Sequence, residues 1–267
     1  MLGSTALSGL AVMLVSIAVT STVVLLWRTL DVQDALREDL DIISHVYPIV
    51  GLVYGVFLGF TIVITWTGFQ DAEASVADEV THLSELWRDS GPFPDSVRLG
   101  VRRDILGYVD EVLASDWASL AATGRHSSAA TAAYEEIWDV YYQFQPETAS
   151  QSGFYTASLH ELNEFGRARR ARSLEAQARV HPLVRMFLFG GGAMTVLFAL
   201  LIPAKSRLIQ AAVTSVMSGL IFFSIFLALS LQMPFSGDVS IGPTAFEEIH
   251  DSFERRLAED VAAVGMQ

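Results

Sequence analysis

The chain contains no cysteine among its 267 residues. This absence excludes a disulfide framework, cysteine-ligated zinc, an iron–sulfur cluster and a thiol nucleophile. Positive charge is also scarce, because 17 Lys+Arg stand against 30 Asp+Glu and the net charge is −13. A nucleic-acid binder needs a basic face, so we expect no nucleic-acid partner. Charged residues make up 18% and apolar residues 51%, which argues against a disordered chain and against an ordinary soluble enzyme.

Four long stretches lack Asp, Glu, Lys, Arg and His altogether, namely 1–27, 46–70, 186–204 and 208–237. A helix rises ~1.5 Å per residue, so ~20 apolar residues cross a hydrocarbon core of ~30 Å. The sequence therefore predicts an integral membrane protein with four transmembrane helices in two hairpins, and the lipid bilayer as its partner. The first stretch lacks the basic start and the short apolar core of a signal peptide, so we expect it to be retained.

The four spans organise the chain into segments. We predict a first transmembrane hairpin at 1–69, a helical extramembrane domain at 70–185, a second hairpin at 186–232, and a turn-rich segment with an amphipathic C-terminal helix at 233–267. Four crossings place the N-terminus, the helical domain and the C-terminus on one side. Basic residues before the third span favour the cytoplasmic side, whereas the basic loop of the second hairpin argues the other way.

The 70–185 segment is helical in pattern. Val76, Val80, Leu83 and Trp87 form one apolar stripe at helical spacing. Between Trp66 and Asp89 only Gly68 weakens the helix, so the second span should continue beyond the membrane as one long helix. Further helices are expected at about 95–120, 129–144 and from 150 onward. No useful strand-like alternation occurs, so the predicted fold class is all-α.

Residues that could perform catalysis or bind a metal form no recognised pattern. The six histidines include no His-Glu-x-x-His pair, and the chain lacks a P-loop, a Gly-x-Ser-x-Gly elbow and a dinucleotide fingerprint. His160 with Glu161 and Glu164 is the nearest approach to a metal cluster, but solvated helix-surface residues are the better interpretation. We therefore expect no enzyme, no catalytic residue, no metal and no cofactor. The spans also lack the internal charges of ion-coupled pumps, which leaves a passive pore or a structural membrane protein.

The second span carries two helical patterns. The first is a ridge of small residues that would let another helix pack closely, Gly51, Gly55 and Gly59. The second is a stripe of hydroxyl groups that are candidates for lining a pore, Tyr54, Thr61 and Thr65. The alternative is that these hydroxyls bond to backbone inside a helix bundle, and periodicity alone favours that alternative.

The predicted extension of this helix is acidic. Its carboxylates are Asp71, Glu73, Asp78 and Glu79. If several subunits surround an axis, these candidates form a vestibule of acidic rings that attracts cations and repels anions. In a monomer they would be an ordinary solvated face.

Three stretches of the sequence are similar to the bestrophin-like family of bacterial membrane proteins. They read VYGVFLGF at 53–60 with DAEA at 71–74, LNE at 162–164 with ARRAR at 168–172, and PFSGD at 234–238. The resemblance covers roughly 45–260. It implies structural roles for a set of motif residues, with a direct role in gating or permeation as the alternative. They are Asn163, Arg169, Arg170, Arg172, Pro234, Ser236, Gly237 and Asp238.

Bestrophins are pentameric ion channels with four membrane helices per subunit, and their second membrane helix lines the pore. The resemblance thus implies a homo-oligomer, with a pentamer favoured, in the bacterial inner membrane. The aromatic and Arg-rich bestrophin signature is missing here, since 71–78 read DAEASVAD. We expect no calcium sensing, and the acidic helix favours cations, with monovalent cations as candidate permeant ions.

Two functional hypotheses follow. The first is an oligomeric, cation-leaning ion channel whose pore is lined by the second span. The alternative is a non-conducting membrane scaffold or sensor whose helical domain binds a partner protein.

Overall fold

The computed structural model describes residues 2–27, 40–202, 204, 206–237 and 239–265. Across these ranges the chain is helical and contains no strand, which confirms the predicted all-α class. The helices are α1 Leu2–Trp27, α2 Leu40–Asp89, α3 Asp95–Glu111, a π-helical segment Val112–Asp116, α4 Trp117–Thr123, α5 Ser128–Gln143, α6 Ala149–Gln177, α7 Pro182–Leu201, α8 Arg207–Leu231 and α9 Thr244–Gly265.

Four of these helices, α1, α2, α7 and α8, are long and apolar enough to cross a membrane. They correspond to the four predicted spans. Helix α7 begins at Pro182, earlier than the uncharged stretch that starts at residue 186, because His181 caps its N-terminus and accepts a hydrogen bond from the Leu183 amide. The predicted continuation of the second span is also present, since α2 runs unbroken for 50 residues.

The chain divides into two compact units. The membrane unit comprises 1–68, 179–233 and 237–239, and the bundle unit comprises 69–178, 234–236 and 240–267. The C-terminal helix α9 thus belongs to the bundle unit rather than forming a segment of its own. Its amphipathic pattern explains this placement, because Phe246 and Phe253 are buried and α9 packs against α3.

In the membrane unit, α1 and α8 pack as an antiparallel pair through small residues. A Cβ added at Gly9 would lie 2.9 Å from a ring of α8, and one added at Gly219 would lie 3.1 Å from Met13. Further along the same pair of helices, Thr20 donates a hydrogen bond to Ser218 at 2.9 Å. Such packing is typical of helices in lipid, where close approach and interhelical hydrogen bonds replace the hydrophobic effect.

The bundle unit has a core of large side chains. Trp87 at the end of α2 stacks on Phe253 of α9 with ring centroids 4.3 Å apart, and Tyr108 meets Phe165 edge-on at 5.0 Å. The predicted stripe of α2 contributes to this core, since Val76, Leu83 and Trp87 are buried. A Thr148–Gln151 capping box begins α6.

One element departs from the predicted helix at 95–120. Residues Val112–Asp116 form a π-helical turn between α3 and α4. A π-turn inserts an extra residue and shifts the side chains that follow it, and such turns are frequent at functional sites. Here the turn ends on Asp116, whose carboxylate is fully buried.

Candidate functional site: the long helix α2 and its charge partners

Within the membrane unit, α2 has one packed face and one open face. Leu52, Val56 and Phe60 lie one turn apart and are 67%, 51% and 64% exposed. Tyr54 and Thr61, on the opposite face, are 4% and 6% exposed. The open face is therefore apolar, and the hydroxyl stripe points into the unit.

Tyr54 joins α2 to α7. Its hydroxyl donates to the Leu188 carbonyl at 2.9 Å. Its ring fills the space left by two glycines, because a Cβ added at Gly191 would lie 2.7 Å from the ring and one at Gly192 would lie 2.9 Å from the hydroxyl oxygen. Tyr54 is thus a packing residue of the subunit.

The two threonines of the stripe bond to their own helix. Thr61 Oγ1 donates to the Phe57 carbonyl at 2.9 Å, and Thr65 Oγ1 donates to the Thr61 carbonyl at 3.0 Å. A buried hydroxyl needs an acceptor, and the carbonyl four residues earlier is the nearest one. The pore-lining assignment of Tyr54, Thr61 and Thr65 is therefore corrected in favour of the bundle alternative.

Among the described residues, nothing packs closely against the glycine ridge of α2. A Cβ added at Gly51, Gly55 or Gly59 would meet nothing within 4 Å. Close helix contact instead occurs at Gly191 and Gly192 of α7. Packing on the α2 ridge stays a prediction that concerns contacts beyond the subunit.

The acidic residues of α2 separate into two groups. Asp71, Glu73 and Asp78 are exposed, as a vestibule requires. Glu79 has no exposed side-chain surface and forms an ion pair, so its assignment to the vestibule was wrong. The reason is its position on the helix, since it shares the buried face with Val76 and Leu83.

Glu79 belongs to a buried charge cluster, which also contains Tyr108, Asp116, His126 and Arg172. Arg172 donates from Nε to Glu79 Oε2 at 2.7 Å and from Nη2 to Glu79 Oε1 and Asp116 Oδ2, both at 3.0 Å. Tyr108 donates its hydroxyl proton to Glu79 Oε1. Burial, and then the neighbouring Glu79 carboxylate, raise the Tyr108 pKa well above its usual value, so Tyr108 remains a donor.

Asp116 is the second carboxylate of the buried charge cluster. Oδ2 lies 2.9 Å from His126 Nδ1, and Oδ1 accepts from the Ser127 amide at 2.6 Å. Burial alone would raise the Asp116 pKa, but the His126 hydrogen bond, the Arg172 charge and the Ser127 amide outweigh it and lower that pKa. The carboxylate is therefore ionised at neutral pH.

Aromatic rings cover the Arg172 guanidinium, whose Cζ lies 5.5 Å from the Trp117 ring centroid and 5.2 Å from that of Phe246. Phe235, in the turn after α8, packs edge-on against Trp117 at 5.6 Å. The turn is closed by the Ile241 amide, which donates to the Pro234 carbonyl at 2.7 Å. Thus the PFSGD stretch helps to seal the buried charge cluster.

The remaining motif residues have local roles. Arg169 is buried, donates to Thr131 Oγ1 at 2.9 Å and lies 5.0 Å from the Tyr134 ring centroid. Asn163 donates to the Leu159 carbonyl of its own helix at 2.7 Å. Arg170 is exposed and Ser236 is half-buried. Gly237 has a φ of +89°, a backbone conformation that favours glycine. Asp238 lies outside the described residues.

Three members of the buried charge cluster were missed from the sequence, Tyr108, Asp116 and His126. A signal was present for Asp116, because it continues the apolar stripe of Ile105 and Val112 at helical spacing. A carboxylate in such a position needs a buried partner. Nothing in the sequence pointed to His126, which lies in the turn between α4 and α5.

An acidic groove runs between α2 and α6 in the bundle unit. It encloses about 310 Å³ and is lined by Asp71, Asp78, His82, Glu164, Arg167 and Glu175, among others. Partial burial and the nearby Asp71 raise the pKa of Glu175. Among the described residues, no group of three His, Asp or Glu is placed to hold a metal ion.

The model of the Bestrophin-like domain family matches residues 14–246. The fold is similar to that of a bacterial bestrophin homologue from Klebsiella pneumoniae, with a TM-score of 0.68 at 14% identity over 95% of this chain and 98% of that chain. A variant of the same homologue gives 0.69 at 13% identity, with the same coverage. No curated protein sequence matches this chain significantly.

Proposed function

The chain belongs to the bestrophin-like family, and we propose that it is a subunit of an oligomeric ion channel in the bacterial inner membrane. The channel favours monovalent cations, and α2 lines its pore. The N-terminus, the bundle unit and the C-terminus lie on the cytoplasmic side. The protein performs no catalysis and needs no cofactor. A ring of five subunits is the assembly favoured by the family resemblance.

The observation that carries the proposal is the open face of α2. In the membrane unit this face presents Leu52, Val56 and Phe60. In the bundle unit the same helical spacing continues through Gln70, Ala74 and residues 77–78, which are exposed as well. One helix thus supplies an apolar stretch followed by a polar one, and both stretches are exposed in the described part of the subunit.

The chemistry of the open face suggests a division of tasks. Around an axis, Leu52, Val56 and Phe60 form successive apolar rings, and hydrophobic constrictions of this kind gate ion flow by excluding water. Asp71 and Asp78 form acidic rings beyond them, which concentrate cations and repel anions. This arrangement replaces the hydroxyl-lined path with an apolar gate that is followed by an acidic vestibule.

The proposal is tested by ion flux and reversal potentials of the purified protein in liposomes. We expect cation flux in the unmodified protein, and a severalfold smaller cation preference in the Asp71→Asn/Asp78→Asn variant. Glu135→Gln, which changes an exposed carboxylate on α5, is the matched control and should leave the preference unchanged. Phe60→Ala should raise conductance, whereas Leu197→Ala, at an exposed site on α7, should not.

The oligomeric state gives a second test, by native mass spectrometry in nanodiscs. A closed ring of four to six subunits supports the channel, because a pore lined by one helix from each subunit needs several copies. A monomer or a two-fold dimer would contradict it, as would the absence of flux for every monovalent ion. The scaffold hypothesis would then return, with a partner-binding surface other than the apolar stripe of Val76, Leu83 and Trp87, which is buried in the core.

A further inference from the structure

His126 is held between two hydrogen-bond acceptors. Its Nδ1 lies 2.9 Å from Asp116 Oδ2, and its Nε2 lies 2.9 Å from the Arg169 carbonyl oxygen. A neutral imidazole carries one N–H, whereas the imidazolium carries two. Neither a carboxylate nor a carbonyl oxygen can donate in return. Both contacts are hydrogen bonds only when His126 is protonated.

The Asp116 carboxylate cannot compensate for a lost His126 proton by donating a hydrogen bond itself. Oδ1 already accepts from the Ser127 amide at 2.6 Å, and Oδ2 accepts from Arg172 Nη2 at 3.0 Å. Both oxygens are therefore occupied by donors. When His126 loses its proton, one of its ring nitrogens presents a lone pair to an acceptor oxygen. The His126 side chain is only 11% exposed, so water does not readily satisfy that acceptor. An unmet buried acceptor of this kind is unfavourable.

The hydrogen bonds continue from His126 to α2. The links are His126 to Asp116, Asp116 to Arg172, and Arg172 to Glu79. Glu79 is fixed by both nitrogens of the Arg172 fork, so its position depends on where Arg172 lies. A change at the α4–α5 turn is thereby transmitted to the helix that carries Asp71 and Asp78.

The groups that face the buried charge cluster come from several elements. Helix α2 contributes Glu79, α3 contributes Tyr108, the π-turn contributes Asp116, and α6 contributes Arg169 and Arg172. Two uncharged rings, Trp117 of α4 and Phe246 of α9, close the remaining side. Among these described groups, His126 is the only imidazole, the side chain that proteins most often use to respond to pH near neutrality.

We propose that His126 is a proton-operated clamp on the pore helix. When His126 is protonated, it secures Asp116, Arg172 and Glu79 in one connected network, and the bundle unit holds α2 firmly. When the proton leaves, Asp116 loses the positive charge of the imidazolium and one of the two ring contacts is lost, so the network loosens at this end and α2 gains freedom. Cytoplasmic acidification then changes ion flux through the clamp. This last consequence rests on the proposed channel function, whereas the clamp itself does not.

The first experiment measures thermal unfolding of the purified full chain in detergent from pH 8 to pH 5.5. The proteins are the unmodified chain, His126→Gln, and the control His160→Gln, whose histidine is exposed on α6. The other histidine–carboxylate contacts are common to all three proteins, so the readout is the difference between them. We expect the melting temperature of the unmodified chain to gain about 2–4 °C over His126→Gln as the pH falls. A constant difference across this range would overturn the clamp.

Hydrogen–deuterium exchange locates the effect and covers the case in which His126→Gln folds poorly. After correction for intrinsic exchange rates, peptides spanning 76–83 of the unmodified protein should be better protected at pH 5.5 than at pH 8. Peptides spanning 137–143 at the C-terminal end of α5, which contribute no group to the network, should change less. Equal protection of 76–83 at both pH values would contradict the proposal without any substitution.

Ion flux in liposomes tests the clamp proposal and the channel proposal independently of each other. If the unmodified protein conducts, its flux should differ severalfold between pH 5.5 and pH 8 on the bundle side, and His126→Gln should flatten that dependence. Flux whose pH dependence survives in His126→Gln would overturn the clamp and leave the channel standing. A pH-dependent melting difference without any flux would leave the clamp standing and overturn the channel.

Discussion

The two units bury different kinds of polar group. In the described part of the membrane unit, the buried polar side chains are hydroxyls and one amide, with Thr20, Ser218 and Gln210 as examples. In the bundle unit they include charged groups, foremost Glu79 and Arg172. The difference follows from the surroundings. Placing a charged side chain inside a bilayer costs much free energy. The core of a domain that is surrounded by water can accommodate a charged side chain if it is paired and hydrogen-bonded.

Helix α2 passes through both environments and changes its manner of packing accordingly. Toward α7 it inserts the Tyr54 ring against Gly191 and Gly192 and adds one hydrogen bond to a backbone carbonyl, so that the contact involves no charge. In the bundle unit it offers Glu79 to Arg172, so that charge fixes the contact. We infer that the two contacts should respond differently to substitution.

The largest effect is expected at Arg172. Arg172→Met leaves Glu79 and Asp116 buried without their cation, and removing one partner of a buried pair typically costs ~3–5 kcal/mol. The free energy of unfolding in detergent, measured by denaturant titration, checks this. Arg170→Met changes an exposed arginine on the same helix and should cost under ~0.5 kcal/mol.

A compensating variant sharpens that result. Arg172→Met combined with Glu79→Gln and Asp116→Asn removes the charges of these three residues and should recover much of the lost stability, since neither carboxylate is then buried without its cation. If the triple variant is less stable than Arg172→Met alone, the loss arises from packing of the guanidinium between Trp117 and Phe246 rather than from charge.

Some features of this structure can be predicted from the sequence and others cannot. The all-α class and the spans follow from charge-free stretches of sufficient length, and the continuation of α2 follows from its apolar stripe. The buried charge cluster was missed, although helical spacing places Glu79 on the stripe of Val76 and Leu83. Spacing marks a carboxylate as buried, but it does not identify the distant Arg172 that pairs with it. His126 depends on a contact with the Arg169 carbonyl, 43 residues away, which no local pattern encodes.

The hydroxyl stripe of α2 shows the same limit. Helical spacing correctly placed Tyr54, Thr61 and Thr65 on one face. It could not tell whether that face meets water or protein, since a hydroxyl suits both. The glycines that decide the matter are on α7, because Gly191 and Gly192 leave the space that the Tyr54 ring fills.

The next effect tests the packing contact. Gly191→Ala places a Cβ 2.7 Å from the Tyr54 ring, and overpacking of this kind costs ~1–3 kcal/mol. Gly190→Ala is the matched control, because its Cβ meets nothing within 4 Å. Thermal unfolding of both variants in one detergent should separate them by several degrees. Equal melting temperatures would mean that the Tyr54 ring moves freely, and that α2 and α7 are not held by shape.

A smaller effect compares helix starts in the two units. Thr148 caps α6 in the bundle unit and forms a full capping box with Gln151, so Thr148→Ala should cost about 1 kcal/mol. Ser206 precedes α8 in the membrane unit and makes no side-chain capping bond, so Ser206→Ala should cost under ~0.5 kcal/mol. Unfolding free energies of the two variants give the comparison. If Ser206→Ala lost more unfolding free energy than Thr148→Ala, the capping box would not be the stronger of the two helix starts.

The smallest effect concerns surface charge on the bundle unit, where Glu175 lines the acidic groove. Partial burial and the nearby Asp71 raise the pKa of Glu175, so the folded state binds a proton there more tightly than the unfolded state does. The carboxylate therefore opposes folding increasingly as the pH rises through this raised pKa. Glu175→Gln should stabilise the protein at pH 7 by under ~0.5 kcal/mol, and the gain should vanish in acid, where Glu175 is protonated.

Thermal unfolding of the Glu175→Gln variant at pH 7 and at pH 4 checks the sign of this effect, with Glu147→Gln at an exposed position as the control. A loss of stability at pH 7 would mean that Glu175 has a cationic partner that outweighs Asp71, and that the groove is less acidic than its lining suggests. A gain confined to neutral pH would instead place Glu175 among charges that the bundle unit tolerates at its surface. Such charges contrast with those that Arg172 holds in the interior, because the exposed ones are screened by water and the buried ones are not.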